Sequence, residues 1–216
     1  MTPQDQSRDS DQIVFLVDDE QEVRATLSRA LEVRGLSVVA YESAEAFLQT
    51  YTADTPGCLV LDYGMPGMNG LELQKEMTRL GISLPIVFIS GHGGVPESVQ
   101  AMKGGAMDFI PKPFRQGALI EAIEKAFAQD SAVRAKFAQE FQTRTKFDRL
   151  TAREKEIADF ILANPSATSS KHIGRELDIS PRTVDHHRAR ILEKLEVASV
   201  AELITLSSTI AQSSDG

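Results

Sequence analysis

The strongest chemical signal in the sequence is an acidic residue at the end of an apolar run. Residues 58–61, Cys-Leu-Val-Leu, are followed by Asp62 and then by GMPGMNG at 64–70, a loop rich in glycine and proline. A buried ionised carboxylate is costly unless it is paired or bound to a metal ion. Asp62 therefore predicts a cationic partner elsewhere in the chain.

Polar residues follow three further apolar runs in the same way: Asp18 and Asp19 after Ile13–Val17, Ser90 after Ile86–Ile89, and Lys112 after Met107–Ile110. Carboxylate oxygens are the ligands that Mg²⁺ prefers. A carboxylate can also act as a nucleophile and become an aspartyl phosphate. This set predicts phosphoryl chemistry in which Asp62 is the nucleophile, Asp18, Asp19 and Asp62 bind Mg²⁺, and Lys112 and Ser90 contact phosphoryl oxygens.

The elements that must position these residues alternate between apolar strands and amphipathic helices. The predicted strands are Ile13–Val17, Ser37–Ala40, Cys58–Leu61, Ile86–Ile89 and Met107–Ile110, and the predicted helices are Glu22–Arg34, Ala44–Thr50 behind the cap Ser43, Leu71–Leu80 and Glu97–Lys103, with Gly35, Gly81 and Gly104 as helix stops. Continuous apolar strands are expected where both faces of a parallel sheet are covered. This order predicts a doubly wound α/β sheet with its ligand site beyond the carboxyl ends of the strands.

A simpler interpretation is that each acid caps the helix that follows it. Acidic residues are common at helix starts, and this interpretation is reasonable for Asp18 alone. It does not account for four strand ends that all carry groups suited to phosphoryl chemistry.

Residues 116–146 contain no proline and a single glycine near their start, which predicts one long helix. Its outer part carries the apolar residues Val133, Phe137 and Phe141, four positions apart. An apolar stripe on an isolated helix needs a partner helix, so these residues predict a dimer contact. The alternative is an irregular linker.

The last part of the chain shows four helical patterns, Ala152–Ala163, Ser170–Leu177, Pro181–Leu195 and Val200–Leu206. Ser180 and Pro181 suit the cap and first position of the third. A helix, a short turn and a second helix can place that second helix in the major groove of DNA. The alternative is an interaction domain with a solvated charged face.

The third pattern separates into two faces. Val184, Ile191, Leu192 and Leu195 share one face; Arg182, Asp185, His186, Ala189 and Glu193 lie opposite; Arg190 flanks the exposed side, and His187 and Arg188 turn toward the buried side. The predicted DNA-contacting residues are Lys171, Arg182, Thr183, Asp185, His186, Ala189 and Arg190. Asp185 is expected to accept a hydrogen bond from cytosine and Ala189 to meet a thymine methyl, whereas Lys171 and Arg182 are expected to contact phosphates.

Composition narrows the class of protein. The net charge of −8 argues against a basic coat for nucleic acid, although Ser180–Leu195 has a small local excess of positive charge. No stretch is apolar enough to span a bilayer, and the N-terminus lacks the apolar core of a signal peptide. Cys58 is the only cysteine, which excludes an intrachain disulfide. These features predict a cytoplasmic protein.

The segments LVDDE, LVLDYGMPGMNG, VFISGHGG and AMDFIPKPF resemble the receiver domain of two-component response regulators. The resemblance implies a flavodoxin-like, five-stranded parallel fold over residues 12–128, with Asp62 as the phosphoacceptor. It also implies Asp19 as a direct Mg²⁺ ligand near Asp18, a further ligand in the Gly64 carbonyl, Ser90 and Phe109 as switch residues, and a cis bond before Pro113. A phosphatase with an aspartyl nucleophile is a rival, but its general acid usually lies two residues after the nucleophile, where this chain has Gly64.

The segments LTAREKEIADFILA, KHIGRELDISPRTVDHHRARILEKLEV and AELI resemble the LuxR-type helix-turn-helix. Asn164–Ser170 is a few residues longer than the usual loop of that family. With the receiver, this implies a response regulator of the NarL/FixJ kind, with a helical, coiled-coil-like linker at 129–147 and a small all-α DNA-binding domain at 148–210. The implied protein is not an enzyme. Its implied partners are a sensor histidine kinase, promoter DNA, RNA polymerase and a second copy of itself. The runner-up is a receiver-fold protein that acts without phosphorylation, through partner binding.

Overall fold

The structure is a computed structural model that describes residues 12–52, 55–91 and 94–211. Across these ranges the chain forms five strands and nine helices. The strands are β1 (Ile13–Val17), β2 (Ser37–Tyr41), β3 (Gly57–Asp62), β4 (Ile86–Ser90) and β5 (Asp108–Pro111). The helices are α1 (Gln21–Glu32), α2 (Ala44–Thr50), α3 (Gly70–Arg79), α4 (Val95–Lys103), α5 (Gln116–Asp148), α6 (Ala152–Ala163), α7 (Ser170–Glu176), α8 (Pro181–Leu195) and α9 (Val200–Ala211).

The strands form one parallel sheet in the order β2-β1-β3-β4-β5. Because every strand runs the same way, all the carboxyl ends lie at one edge, as the sequence predicts. The central strand β3 is buried along its whole length. The edge strands β2 and β5 are partly exposed, because an edge strand has a neighbour on one side only. The expectation that every strand is covered on both faces is therefore wrong for these two.

Alternate side chains of the central strands point to two separate cores, one on each face of the sheet. Phe15, Leu59 and Phe88 point to the face covered by α2, α3 and α4. Leu16 and Val60 point to the other face, which is covered by α1 and the first part of α5. Burial on both faces requires the continuous apolar runs from which the strands are predicted.

Polar contacts attach α5 to the end of the sheet opposite the acidic residues. Asp130, which is buried on α5, accepts a hydrogen bond of 2.9 Å from the N–H of Gly57 at the start of β3. Gln12, next to β1, donates from Nε2 to the Phe127 carbonyl and the Ser131 hydroxyl, each at 3.1 Å. These bonds satisfy polar groups in a buried region, where an unpaired group is costly.

Residues 116–148 form a single helix, so the alternative of an irregular linker is wrong. The chain divides into two compact units, of which the first ends at Val133 and the second begins at Arg134, within α5. Beyond Val133, which is half-buried, the side chains of Phe137 and Phe141 are 63% and 73% exposed. In the part of the chain that the structure describes, no helix combines the length and apolar character needed to cross a membrane.

The second unit has its own apolar core, contributed by all four short helices. Its buried members include Ile157, Ile161, Ile173, Val184, Ile191, Leu195 and Leu203. Thr151 and Ser180 cap α6 and α8 by accepting hydrogen bonds from the N–H groups of Glu154 and Thr183. The predicted cap at Ser180, with Pro181 in the first turn, is confirmed.

Most element bounds agree with their predictions to within one or two residues, and the cap at Ser43 is confirmed. Gly35 and Gly81 adopt left-handed backbone after α1 and α3, as expected of helix stops. Gly104 is the cap residue of α4 but has φ −77°, and the left-handed conformation belongs to Gly105. The last helix is longer than predicted, extending to Ala211 rather than Leu206.

Candidate functional site

The lysine that follows β5 joins the two buried acids that follow β1 and β3. The ammonium of Lys112 donates to Asp18 Oδ2 at 2.8 Å and to Asp62 Oδ1 at 2.7 Å. Both carboxylates are buried, and the lysine side chain is mostly buried. Asp62 and Asp18, which are 50 and 94 positions from Lys112 in the sequence, therefore meet it at the sheet edge. This pairing explains how the chain tolerates a buried carboxylate at the end of β3.

Backbone groups bind the other oxygen of each carboxylate. Asp18 Oδ1 accepts from the N–H of Glu20 at 2.9 Å, and Asp62 Oδ2 accepts from the N–H of Gly64 at 2.8 Å. Burial lowers the pKa of Lys112, but its hydrogen bonds to Asp18 and Asp62 and their negative charges outweigh this effect. The pKa of Lys112 therefore lies above its ordinary value, and the lysine is positively charged at neutral pH.

The donor set can be tested for its fit to Mg²⁺. Each oxygen of Asp18 and Asp62 accepts one of the hydrogen bonds described above and has a second lone pair. Mg²⁺ is usually held by one or two carboxylates together with waters, so these two acids suit it. The third predicted acid, Asp19, is exposed. Among residues 12–52, 55–91 and 94–211, no group of three Asp, Glu, His or Cys side chains is arranged around a metal position.

The two predicted switch residues lie on the neighbouring strands. Ser90 is buried at the end of β4, and Phe109 of β5 is half-buried and stacks on Phe88 with ring centroids 6.0 Å apart. Tyr63 packs edge-on against Phe109 at 6.3 Å. Sequence reasoning missed Tyr63, although its place directly after Asp62 was a usable signal. The predicted cis bond between Lys112 and Pro113 is confirmed.

A second residue missed at this site is Arg24 on α1. Its Nη1 donates to the backbone carbonyl of Asp18 at 2.7 Å. The bond ties the loop after β1 to the second turn of α1, and it holds the main chain that carries the buried carboxylate. The interval of six residues between Asp18 and Arg24 gives no periodic signal, because it bridges a strand end, a loop and a helix.

The second unit contains the predicted helix-turn-helix. Helices α7 and α8 are joined by residues 177–180, and Asp178 takes a left-handed backbone conformation, φ +52°, in that turn. Helix α8 buries Val184, Ile191 and Leu195 against the core. Its opposite side is exposed, which agrees with the two faces predicted from the sequence.

The predicted DNA-contacting residues lie mostly on that exposed side. The exposed members are Lys171, Arg182, Asp185, His186, Ala189 and Arg190. Thr183 is half-buried, and its hydroxyl is 2.7 Å from the hydroxyl of Ser180, the cap residue of α8. Arg190 lies 3.4 Å from Glu193.

Asp185 is the member of this set with an unexpected partner. Its carboxylate accepts a hydrogen bond from Ser170 at the start of α7. Arg188, which the sequence turned toward the buried side, donates from Nη1 to the Ser170 hydroxyl at 3.0 Å and to the Thr168 carbonyl at 3.2 Å. Sequence reasoning missed these contacts because they depend on how closely two helices approach.

An ion pair between a buried carboxylate and a half-buried lysine joins the start of α6 to the end of α8. Lys194 Nζ lies 2.6 Å from Glu154 Oε2, and the same carboxylate accepts from the N–H of Thr151 at 2.8 Å. Burial raises the pKa of Glu154, but hydrogen bonds from Lys194 and Thr151 outweigh it and hold that pKa at about 2. The pair therefore stabilises the frame of the helix-turn-helix at neutral pH.

Two family models match the chain and divide it at the long helix. The response regulator receiver domain matches residues 14–124. The luxR family of bacterial regulatory proteins matches residues 148–207. The acid-lysine cluster lies in the first match, and α6 to α8 lie in the second.

Full-length relatives share the same arrangement. Transcriptional regulatory protein FixJ of Rhizobium meliloti is 39% identical over 198 residues, covering 92% of this chain and 96% of its own. Nodulation protein W of Bradyrhizobium diazoefficiens is 37% identical over 203 residues, covering 94% and 88%. The solved structure of the response regulator StyR is similar at a TM-score of 0.83 and 39% identity, covering 92% of this chain and 98% of its own.

These matches extend over both units and include a relative that is covered over 96% of its length. The five-stranded parallel fold and the helix-turn-helix agree with them. The chain therefore belongs to the NarL/FixJ-type response regulators, phosphorylatable transcription regulators that join a receiver domain to a LuxR-type DNA-binding domain.

Proposed function

We propose that Asp62 is the phosphoacceptor, and the observation that carries this proposal is the ammonium of Lys112 between Asp62 and Asp18. A carboxylate oxygen of Asp62 attacks the phosphorus of a phosphohistidine, the P–N bond breaks, and the imidazole leaves with the electron pair. The Asp62 oxygen loses its charge as the acyl phosphate forms. Lys112 then turns from Asp62 to the new phosphoryl oxygens while Asp18 keeps it in place.

We propose Mg²⁺ as the cofactor of this step, held by Asp18, Asp19, Asp62 and the Gly64 carbonyl. When bound, the ion neutralises negative charge on the incoming phosphoryl group. Asp18 and Asp62 supply buried carboxylate oxygens that already have their hydrogen bonds. Asp19 is exposed beside them, so it can join the site without leaving a buried partner unsatisfied.

The residue two positions after Asp62 favours a stoichiometric switch over a turnover enzyme. A Cβ built on Gly64 would lie 3.8 Å from Asp62 Oδ2, so a side chain at this position would stand beside the phosphoryl group. Glycine supplies no group that could act as a general acid or base there. Gly64 therefore favours a protein that carries one phosphoryl group as a signal over an enzyme that turns over a phosphorylated substrate.

Ser90 and Phe109 are the residues that we propose to report phosphorylation. The Ser90 hydroxyl is buried at the end of β4 and can donate to a phosphoryl oxygen on Asp62. Phe109 lies on the next strand and has ring contacts with both Phe88 and Tyr63. A shift of the loop after Asp62 therefore reaches Phe109 through a direct contact with Tyr63.

The proposed partners follow from the two families. A sensor histidine kinase donates the phosphoryl group, and promoter DNA binds the exposed side of α8. The proposed contacts are Lys171, Arg182, Thr183, Asp185, His186, Ala189 and Arg190. A transcription regulator acts where the bacterial chromosome lies, so we propose cytoplasmic action, with RNA polymerase as a further partner.

A homodimer formed through the outer part of α5 is also proposed. Phe137 and Phe141 are large, apolar and mostly exposed, and Val133 continues their stripe. Phe137→Glu is expected to shift the mass from light scattering toward the monomer, because a charge there would be buried unpaired. Gln139→Glu, on the far side of the helix, is the matched control.

A second exposed apolar stripe, on α4, is an alternative site for the dimer contact. Val95, Val99 and Met102 share one face of α4 and are exposed. If the wild-type chain is dimeric and Phe137→Glu leaves its mass unchanged while Val99→Glu lowers it, the contact lies on α4 instead.

The proposed function is tested with acetyl phosphate and the full chain. With Mg²⁺, intact-mass spectrometry is expected to detect one added phosphoryl group, and fluorescence anisotropy is expected to detect tighter binding to a selected DNA duplex. Chelation of Mg²⁺ should abolish the mass gain. A chain that binds its duplex equally well with no phosphoryl group incorporated would instead be a receiver-fold protein that acts through partner binding alone.

A further inference from the structure

Asp185 stands out on the exposed side of α8 because its charge is unfavourable for DNA. A carboxylate there repels the phosphates that Lys171 and Arg182 are proposed to contact. In this structure the carboxylate accepts a hydrogen bond from Ser170 on α7. This contact explains why an acidic residue lies on that side of α8: Asp185 bonds to another part of the protein.

Ser170 connects two charged residues of α8. A hydroxyl has one proton to donate and lone pairs that accept. Its proton goes to Asp185, and a lone pair accepts from Arg188 Nη1 at 3.0 Å. Asp185 and Arg188 are three positions apart and therefore lie on neighbouring turns of the same helix face. The hydroxyl thus lies between a carboxylate and a guanidinium of opposite charge.

The same group of residues also holds the loop before α7. Arg188 Nη1 donates to the carbonyl of Thr168 at 3.2 Å. At the other end of this loop, Asn164 Nδ2 donates to the Phe160 carbonyl at 3.0 Å. The loop between α6 and α7 therefore has a side-chain hydrogen bond at each end. We call Thr168, Ser170, Asp185 and Arg188 the Ser170 bracket.

The bracket lies beside the proposed DNA contacts. Lys171 follows Ser170 directly, and His186 follows Asp185 directly. Both neighbours are on helical backbone whose position depends on how α7 and α8 sit against each other. The apolar core that includes Ile173 and Val184 lies on the buried side of these helices, whereas the bracket lies on the side that carries Lys171 and His186.

We infer that Asp185 and Arg188 are positioning residues that hold the loop before α7 in register with α8, and that Asp185 does not read a base. This inference rests on the proposed function, because it assumes that the exposed side of α8 meets DNA. It replaces the expectation that Asp185 accepts a hydrogen bond from cytosine. Arg188 is likewise assigned to the loop rather than to a phosphate.

The test uses the phosphorylated full-length chain and a pool of duplexes with a randomised segment. Selection with the wild type yields a preferred duplex, and a scrambled version is the non-specific probe. Ser170→Ala is compared with Ser166→Ala, an exposed serine in the same loop that is outside the bracket. Asp185→Ala is compared with Asp185→Asn, which also lacks the charge but keeps an acceptor oxygen for Ser170.

Loss of the bracket is expected to weaken binding to both duplexes by the same factor. Ser170→Ala should lose about 2- to 12-fold against Ser166→Ala, and Asp185→Ala a similar factor against Asp185→Asn. The double variant Ser170→Ala with Asp185→Ala should bind DNA no more weakly than the single variant of lower affinity, because both substitutions remove the same hydrogen bond. Repeated selection with each variant should recover the wild-type base preferences at every position.

Two results would overturn the inference while leaving the proposed function in place. A changed base preference at one position for Asp185→Ala, with wild-type preferences for Ser170→Ala, would make Asp185 a base-reading residue. Unchanged affinity in both variants, with a lower unfolding temperature, would make the bracket a stabilising contact only. A wild-type chain that enriches no duplex would instead overturn the proposed function.

Discussion

The sheet-edge site and the exposed side of α8 hold their charged groups in opposite ways. Asp18, Asp62 and Lys112 are buried or mostly buried and paired with each other over distances of 2.7–2.8 Å. On α8, Arg182 and His186 are exposed. The helix that carries them is held in place by buried residues on its other side, such as Val184. Phosphoryl chemistry needs groups set in place before the reaction. DNA recognition needs accessible side chains on a rigid support.

The largest effect is expected at the nucleophile of the sheet-edge site. Asp62→Asn should abolish phosphoryl incorporation from acetyl phosphate, because an amide oxygen is not nucleophilic enough to form the acyl phosphate. Asp19→Ala should slow it through weaker Mg²⁺ binding. Intact-mass spectrometry measures both, with Asp108→Asn, an exposed aspartate outside the site, as the control. Incorporation at the normal rate in Asp62→Asn would reject Asp62 as the phosphoacceptor.

Substitution of Lys112 tests how much its ion pairs with Asp18 and Asp62 contribute to the stability of the receiver unit. Lys112→Met leaves Asp18 and Asp62 facing each other without their shared partner, so the free energy of unfolding of the receiver unit should fall by about 3 kcal/mol. Mg²⁺ should restore part of this loss, since it can replace the missing charge. Thermal unfolding with and without Mg²⁺ measures the effect, and Lys103→Met, at an exposed lysine, is the control. Equal stability of Lys112→Met and wild type would show that the pair is not coupled to the fold.

An ion pair in the DNA-binding unit makes the support of α8 sensitive to acid. The pKa of Glu154 is about 2, below its ordinary 4.5, so its stabilising effect is complete above pH 4.5 and is lost as the pH falls toward 2. Glu154→Gln should cost about 1–3 kcal/mol at pH 7 and remove this pH dependence. Calorimetry of the full chain at pH 7 and pH 3 measures it. Glu156→Gln, at a more exposed pair with Arg153, should change little.

The smallest effects are expected on the exposed side of α8, where each contact is single. His186→Ala should cost about 1–3 kcal/mol on the preferred duplex and little on a scrambled one, because it removes a base contact. Lys171→Ala should weaken binding to both duplexes and reduce the salt slope by about one unit. Anisotropy titrations at several salt concentrations separate the two. Equal losses on both duplexes for His186→Ala would remove its base-reading role.

The two regions also differ in how far the sequence predicts them. Continuous apolar runs predict the central strands, and the common direction of parallel strands brings Asp18, Asp62 and Lys112 to one edge without knowledge of any distance. The cost of burying charge requires a partner for Asp62 but does not decide between a side chain and a metal ion, so the ion pairs with Lys112 are known only from the structure.

Contacts between side chains of different elements were not predictable in this way. The bond from Ser170 to Asp185 depends on the separation and rotation of α7 and α8, which the 3.6-residue period does not specify. The contact of Tyr63 with Phe109 joins a loop to an edge strand. The exposure of Asp19 depends on the backbone of the loop after β1, where two adjacent acids look equivalent in sequence.

The attachment of α5 to the sheet has a consequence for biosynthesis. Leu119, Ile123 and Phe127 complete one core of the receiver, and Asp130 binds the N–H of Gly57, 73 positions earlier. A nascent chain that has reached only Phe114 has made every strand and α1 but lacks the part of that face's cover that α5 supplies. The receiver should therefore fold late, once residues up to about 131 have left the ribosome. A fragment that ends near residue 115 should expose a large apolar surface and aggregate.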